Sequence, residues 1–196
     1  DMSWTWSKAM VYADGDSSVR SFLLGKWRDY GKAGLDITHM INISYVYMLP
    51  RASSLLADNK VLSHIFDGWR VSGITRFASG IPRGIGLSAP GMDFTGSTEG
   101  ARVNVIANPI LPKSQRTFSQ HFNTAAFARP TPGVFGVTQP QHVDYGNASR
   151  DVYRDPGVNN WNISLAKDFR IRERHQFSLG SEFFNAFNHT QFRRAN

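Results

Sequence analysis

The last third of the chain alternates between bulky apolar and small polar residues in two successive stretches, 161–171 and 175–184. In the first stretch Trp161, Ile163 and Leu165 share one parity, and small polar residues fill the other. Successive side chains leave opposite faces of a β-strand, so this period of two predicts two strands with one apolar and one polar face each. The charged residues between the stretches predict a turn.

Three earlier stretches, 1–12, 37–49 and 68–79, show the same alternation and complete a set of five predicted strands. Each stretch has about 10 to 13 residues, whereas a soluble strand has about 5 to 6 and a tilted membrane-crossing strand about 9 to 11. Aromatic residues fall near the strand ends, as in the girdles of outer-membrane barrels, where an amphipathic ring suits the headgroup boundary. These residues are Trp4, Trp6, Tyr45, Tyr47, Trp69 and Trp161.

The connections differ in length between the two ends of the predicted sheet. Connections 13–36 and 80–160 share one end, and the shorter connections 50–67 and 172–174 share the other. Long loops outside and short turns inside are typical of outer-membrane barrels. A structureless segment as long as 80–160 is unusual in a compact domain, so short elements are expected within it. The specific expectations are hairpins at Ile85–Leu87 and Arg102–Ile106, and helical turns within 53–66.

Composition fits a folded, turn-rich β protein. Aromatic residues make up 13% of the chain, and 17 Gly and 9 Pro are spread along it. The absence of cysteine excludes disulfides, thiolate metal sites and a cysteine nucleophile. No signal peptide opens the sequence, and no apolar run of about 18 residues could span a bilayer as a helix. Two classes remain: a soluble protein, or a β-barrel segment whose signal lies upstream.

The chain carries a formal net charge of +7, which raises the question of nucleic-acid binding. The basic residues are scattered, however, and the only compact run is the turn that holds Arg170, Arg172 and Arg174. No recognised nucleic-acid motif is present. We therefore predict no nucleic-acid partner, and assign the charge to solvated loops or to anionic lipid headgroups.

Five stretches resemble, in the same order, segments near the C-terminus of TonB-dependent receptors. The closest resemblance is to the Oar-like branch, whose members carry a carboxypeptidase-regulatory-like domain at the N-terminus. The final stretch is the most specific, and together the five cover most of the chain. They are WTWSKAM, DITHMINISYVYMLP, DGWRVSGITRFASGIP, FNTAAFARPTPGVFG and DPGVNNWNISLAKDFRIRERHQFSLGSEFFNAFNHTQF.

This resemblance implies an all-β fold: an antiparallel long-strand sheet that forms one segment, residues 1–196, of a transmembrane outer-membrane β-barrel with long extracellular loops. It implies import of a bulky substrate across the outer membrane of a Gram-negative bacterium, and no cofactor. The implied partners are outer-membrane lipid, the rest of the barrel with its plug domain, TonB, and a small-molecule, oligosaccharide or siderophore ligand. The plug, the TonB-engaging motif and the closing strand are not in this sequence, so we expect a wall segment one strand short.

Two carboxylates keep a second interpretation open. Glu182 lies on the polar side of the last predicted strand, and Asp168 on the polar side of the strand before it. A sheet glycosidase requires two such groups about 5 to 10 Å apart. The alternative function is therefore a soluble all-β carbohydrate-active protein, either a glycoside hydrolase or a sugar-binding module. The other interpretation of Glu182 is a lumen charge paired with Arg70 or Arg76, and an enzyme is the less favoured of the two.

Other candidate motifs add a ligand-binding prediction but no chemistry. The S-x-x-K match at Ser164 falls on a strand, where residues three apart point to opposite faces. The six His residues are too dispersed to predict a metal site. The aromatic residues in and beside the loop around 141–155 predict substrate capture by stacking on a sugar. The residues concerned are Tyr145, Tyr153 and Trp161.

Overall fold

The computed structural model describes most of the chain, and the chain divides into two compact units. The sheet unit is Asp1–Trp6, His39–Ser79 and Gly157–Gln191, and the loop unit is Ser7–Thr38, Gly80–Pro156 and Phe192–Asn196. The described residues are 1–12, 29–51, 65–87, 102–117, 119–130, 146–172 and 175–191.

The sheet unit is a five-stranded antiparallel sheet, so the predicted all-β antiparallel architecture is confirmed. The strand order is β1-β4-β5-β10-β11, which leaves β1 and β11 as open edges among the described residues. The strands are β1 (Met2–Trp6), β4 (His39–Met48), β5 (Trp69–Ala78), β10 (Val158–Arg172) and β11 (His175–Phe183).

The loop unit contains short strands that pair over long sequence separations. β2 (Met10–Val11) pairs with β3 (Gly31–Lys32), β6 (Pro82–Arg83) with β9 (Tyr153–Arg154), and β7 (Asn104–Val105) with β8 (Phe127–Ala128). The part of this unit that the structure describes also contains 3₁₀ helices at Lys113–Gln115 and Thr124–Ala126. Nowhere in the described ranges does a helix reach the length and apolarity that a bilayer crossing requires.

The first predicted strand, 1–12, is too long. β1 ends at Trp6 because the next residues bond to the segment before β4: the Ser7 amide donates to the Thr38 carbonyl at 3.0 Å and the Ala9 amide to Asp36 Oδ1 at 2.7 Å. Residues 10–11 then form β2 in the loop unit. β10, in contrast, begins three residues before the predicted start at 161, because Val158 already pairs with Ala78.

The expected local hairpins are replaced by distant pairings. Gly86 forms an isolated bridge with Arg102, and β7 pairs with β8 rather than with a neighbour in sequence. Pairing over such separations is stabilised by a small apolar core, which the sequence pattern does not reveal. This apolar core of the loop unit consists of Val103, Ala148 and Val152, with Ile85, Leu87, Val105, Phe127 and Tyr153 packed against it.

Of the predicted helical turns at 53–66, only residues 65–66 lie within the described residues, and these are helical.

The described residues of the sheet unit form a single layer, and its register sorts the side chains onto two faces. One row of directly paired residues crosses the sheet from Trp4 through Ile41 and Phe77 to Asn159. Rows of this parity alternate with rows that carry most of the polar residues, such as Ser72 opposite Ser164. We call these the apolar face and the polar face. Several large apolar side chains remain exposed, among them Trp4 at 64% and Leu179 at 60%.

Candidate functional site

The apolar face has aromatic residues at both ends, and Ile43, Val71, Ile163 and Leu165 lie between them together with two central aromatic residues, Tyr45 and Phe183. We call the end where β1 finishes and β4 begins the loop end, and the opposite end the turn end. From Trp69 to Phe77, β5 covers about nine residues, close to the 9 to 11 of a tilted membrane-crossing strand. An apolar band between two aromatic girdles suits hydrocarbon bounded by headgroups. The loop-end aromatics are Trp4, Trp6, Phe77 and Trp161, and the turn-end aromatics are Tyr47, Trp69, Phe169 and Phe177.

Trp161 belongs to this face, rather than to the loop in which sugar stacking was predicted. Its ring packs edge-on against Phe77, with centroids 5.7 Å apart, and against Phe187 at 5.4 Å. Its indole N–H donates to Asn159 Oδ1 at 2.9 Å. The ring therefore presents hydrocarbon with its polar atom already satisfied, as aromatic residues at a membrane boundary do.

The turn after β11 folds back onto the first residues of β10. Asn185 and Asn188 adopt positive φ values of 50° and 51°, a conformation that asparagine tolerates better than most residues. The Ala186 amide donates to the Trp161 carbonyl at 2.8 Å, and the Asn185 amide to Asn162 Oδ1 at 3.0 Å. These bonds hold Phe187 against Trp161 and so complete the aromatic cluster at the loop end.

Lys167 interrupts the apolar face near the turn end, and it is only 6% exposed. Its Nζ donates to the Ile65 carbonyl at 2.9 Å and to the Asp67 carbonyl at 2.6 Å. The same ammonium lies 5.0 Å from the ring centroids of Trp69 and Phe169. A buried cation is tolerated only when its hydrogen bonds are made, and here carbonyl oxygens and aromatic faces surround it. Lys167 thus fastens the connection before β5 to β10.

Replacing Lys167 by methionine is expected to destabilise the sheet unit by about 1–3 kcal/mol, because two carbonyl oxygens lose their charged donor. Thermal unfolding of the purified protein in detergent would measure the loss. Lys8→Met removes the same charge from an exposed residue and is the matched control. Equal stability of the two variants would show that the ammonium does not hold this connection.

The polar face carries the two carboxylates of the alternative interpretation, but the register keeps them apart. Ser164 pairs with Glu182 and Asp168 pairs with Ser178, so four residue steps, about 14 Å along the strands, separate the two carboxylates. Glycosidase carboxyl groups lie about 5 to 9.5 Å apart. Asp168 instead lies 4.0 Å from Arg70 Nη1 and accepts a hydrogen bond from Ser178 Oγ.

The expected pairing of Glu182 with Arg70 or Arg76 is wrong for the described residues. Arg70 is directed to Asp168, which is closer because both lie near the turn end. Arg76 is four positions from Ser72 along β5, a strand that is not adjacent to β11. No described cation lies within ion-pair distance of Glu182.

A groove of about 390 Å³ surrounds Glu182. Most of its lining side chains belong to the polar face of β5, β10 and β11, by the pairing of Ser72 with Ser164 and of Ser164 with Glu182. Its volume falls within the range of about 300 to 1,000 Å³ for small-molecule sites. The lining residues are Ser72, Gly73, Ile74, Asn162, Ile163, Ser164, Glu182, Phe183 and Phe184.

The loop unit is held together by arginine–aspartate pairs. Asp36 is 2% exposed, and its Oδ2 accepts from Arg154 Nη2 at 2.6 Å, while Oδ1 accepts from the Ala9 amide at 2.7 Å. Burial alone raises the pKa of this carboxyl. The hydrogen bonds from Ala9, Arg154 and Thr38, with the charge of Arg154, outweigh that effect and lower the pKa below its usual value.

Two further pairs extend this arrangement. Arg102 Nη2 lies 2.6 Å from Asp29 Oδ1, and Arg83 Nε lies 2.7 Å from Asp155 Oδ2. Arg154 Nη1 also donates to the Gly80 carbonyl at 2.7 Å. Residues before β4 are thereby bonded to residues before β10, so the two long connections form one packed structure.

The predicted loop aromatics occupy different environments. Tyr153 lies in β9, where its ring stacks on Phe122 at a centroid distance of 4.6 Å and packs against the core of the loop unit. One face of the ring is therefore already covered. Tyr145 lies outside the described residues. Within the described ranges, no group of three His, Asp or Glu side chains could hold a metal ion.

A family model described as an outer membrane beta barrel domain matches residues 1–196, the whole chain. No curated protein and no solved structure matches.

Proposed function

The chain belongs to the outer membrane beta barrel domain family, and from this premise we propose that it forms part of the wall of a TonB-dependent receptor, which binds and imports a bulky substrate. Membership makes it an outer-membrane protein in contact with membrane lipid. The finer statement, receptor and importer, is supported by the sequence resemblance and by features within each of the two units.

The observation that carries the proposal is the contrast between the two faces of one uncovered sheet. The apolar face lacks a second layer within the described residues, while the opposite face carries Ser, Asn, Arg and Glu side chains. In a barrel wall the first face contacts lipid and the second lines the lumen. The open edges at β1 and β11 require partner strands, because unpaired backbone groups are not tolerated in hydrocarbon.

The long connections fit a receptor better than a simple pore. Both leave the loop end of the sheet, and their described residues form a unit with its own apolar core and ion pairs. Ordered loops on a rigid scaffold are where binding residues concentrate. In this proposal the loop end faces the cell exterior of a Gram-negative bacterium, and the loops capture the ligand.

The remaining partners follow from the same proposal. The rest of the barrel supplies the strands beside β1 and β11, a plug domain fills the lumen, and TonB provides energy from the inner membrane. Tyr145, Tyr153 and Trp161 remain predictions as ligand contacts. Family membership places the chain in the outer membrane, so the soluble carbohydrate-active alternative is not pursued, and the separation of Glu182 from Asp168 does not favour it.

The proposal is tested by deleting the gene in its host, alone and together with tonB. We expect the deletion strain to lose growth on at least one source in a panel of iron-loaded siderophores, oligosaccharides and peptides. The tonB strain should lose growth on the same source, and the double deletion should add nothing further. Full growth of the tonB strain on the source that the deletion strain cannot use, or no defect across the panel, would contradict the import function.

A further inference from the structure

We propose that the groove around Glu182 binds a ligand that carries a protonated amine about 7 Å from an aromatic or branched aliphatic group. The inference deepens the proposed import function, and it rests on that function for the statement that the polar face lines the lumen. The amine and the apolar group of the ligand are inferred from two neighbouring rows of side chains in the groove.

The first row supplies oxygen atoms for an ammonium group. Ser72 on β5, Ser164 on β10 and Glu182 on β11 are directly paired across three strands. Directly opposed residues on one face have Cβ atoms about 4.5–5.5 Å apart, so Ser164 lies within one strand spacing of both Ser72 and Glu182. An ammonium has three donors and no acceptor, which matches two hydroxyl oxygens and one carboxylate.

The charge of Glu182 selects a cation. Asp168 on the same face is matched by Arg70, whereas no described cation is within ion-pair distance of Glu182. This carboxylate therefore contributes an unbalanced negative charge to a groove that is otherwise neutral. A ligand amine that enters the groove would form a charge-assisted hydrogen bond, one of the stronger kinds of polar contact.

The second row supplies an apolar surface. Ile74, two residues from Ser72 towards the loop end, is 59% exposed, and Phe184, just past β11, is 74% exposed. Both line the groove. Two residue steps span about 7 Å, which sets the distance between the amine and the apolar part of the ligand.

The test uses the purified protein in detergent and two soluble probes, glycyl-phenylalanine amide and its N-acetyl derivative. They differ in the protonated amine, and both carry the aromatic ring. Calorimetric titration should show the free amine binding about tenfold more tightly, and Glu182→Gln should remove that difference. Glu182→Asp keeps the charge and should retain part of it.

The apolar row has its own matched pair of variants. Ile74→Ser should weaken binding of both probes several-fold, whereas Val46→Ser should weaken neither. Val46 is 69% exposed on the same face but does not line the groove. Equal binding of the two probes to the wild-type protein, or unchanged discrimination in Glu182→Gln, would overturn the inference.

These titrations are separate from growth of the host. Discrimination between the probes combined with TonB-independent growth would leave the groove assigned and the import function rejected. TonB-dependent growth without discrimination would reject the groove alone.

Discussion

Gly73→Ala is expected to destabilise the sheet unit by about 1–3 kcal/mol or more, as overpacking does in a well-packed site. A Cβ atom at Gly73 would lie 2.5 Å from the Asn162 carbonyl oxygen and 2.6 Å from the Tyr45 hydroxyl. The first of these is backbone in the adjacent strand, which cannot move without disturbing the β5–β10 pairing. Urea unfolding of the purified protein in detergent, followed by tryptophan fluorescence, would measure the loss.

Gly180→Ala is the control, because it is also in a strand of the same sheet. There a new Cβ meets nothing closer than Ala166 Cβ at 3.7 Å, an ordinary contact. Removing glycine flexibility from the unfolded chain should leave this variant as stable as the wild type or slightly more stable. If both alanine variants lost stability equally, flexibility rather than the close approach of Tyr45 and Asn162 would explain the glycine at position 73.

Arg154→Met is expected to destabilise the loop unit by about 3–5 kcal/mol, the cost of leaving one partner of a buried ion pair uncompensated. The substitution removes the contacts of Arg154 with Asp36 Oδ2, Thr38 Oγ1 and the Gly80 carbonyl, and it leaves Asp36 buried. Hydrogen exchange at the Asp155 amide, which donates to the Ile81 carbonyl, would report the loss locally. Arg76→Met changes an exposed arginine of the sheet unit and is the matched control.

The same pair makes a prediction about pH. The folded-state pKa of Asp36 is lowered, so its contribution to stability is complete above the unfolded-state pKa of about 3.9 and is lost as the pH falls through the lower folded value. Asp36→Asn should flatten this acid-side decline in loop-unit stability. A variant that lost stability with the same slope as the wild type would show that another carboxyl controls the acid response.

The strands and their faces could be predicted from the sequence because both depend on a local period of two. Two residues that break the alternation are also visible in the sequence. Gly73 lies on the apolar parity of its strand, between Val71 and Thr75. Lys167 lies on the apolar parity of its strand, between Leu165 and Phe169. A glycine and a lysine in those positions mark a close approach and a buried cation. The alternation identifies the interruption but not the Tyr45 ring or the Ile65 carbonyl that explains it.

The loop unit could not be predicted in the same way. Its ion pairs join residues that are distant in sequence, from 72 positions for Arg83 with Asp155 to 118 for Asp36 with Arg154, and no short pattern encodes such a contact. Arg70 pairs with Asp168 rather than with Glu182 because of the strand register, and a strand pattern alone does not fix register. The groove around Glu182 depends on that register too.

The bonds between Asp36 and Arg154 also constrain the order of assembly. Asp36 has no arginine to neutralise it until the chain has been made as far as position 154, a separation of 118 residues. Closing so long a loop costs entropy before any contact compensates for it, which makes such contacts slow to form. The loop unit should therefore mature late, after the hairpin of β4 and β5 has already formed.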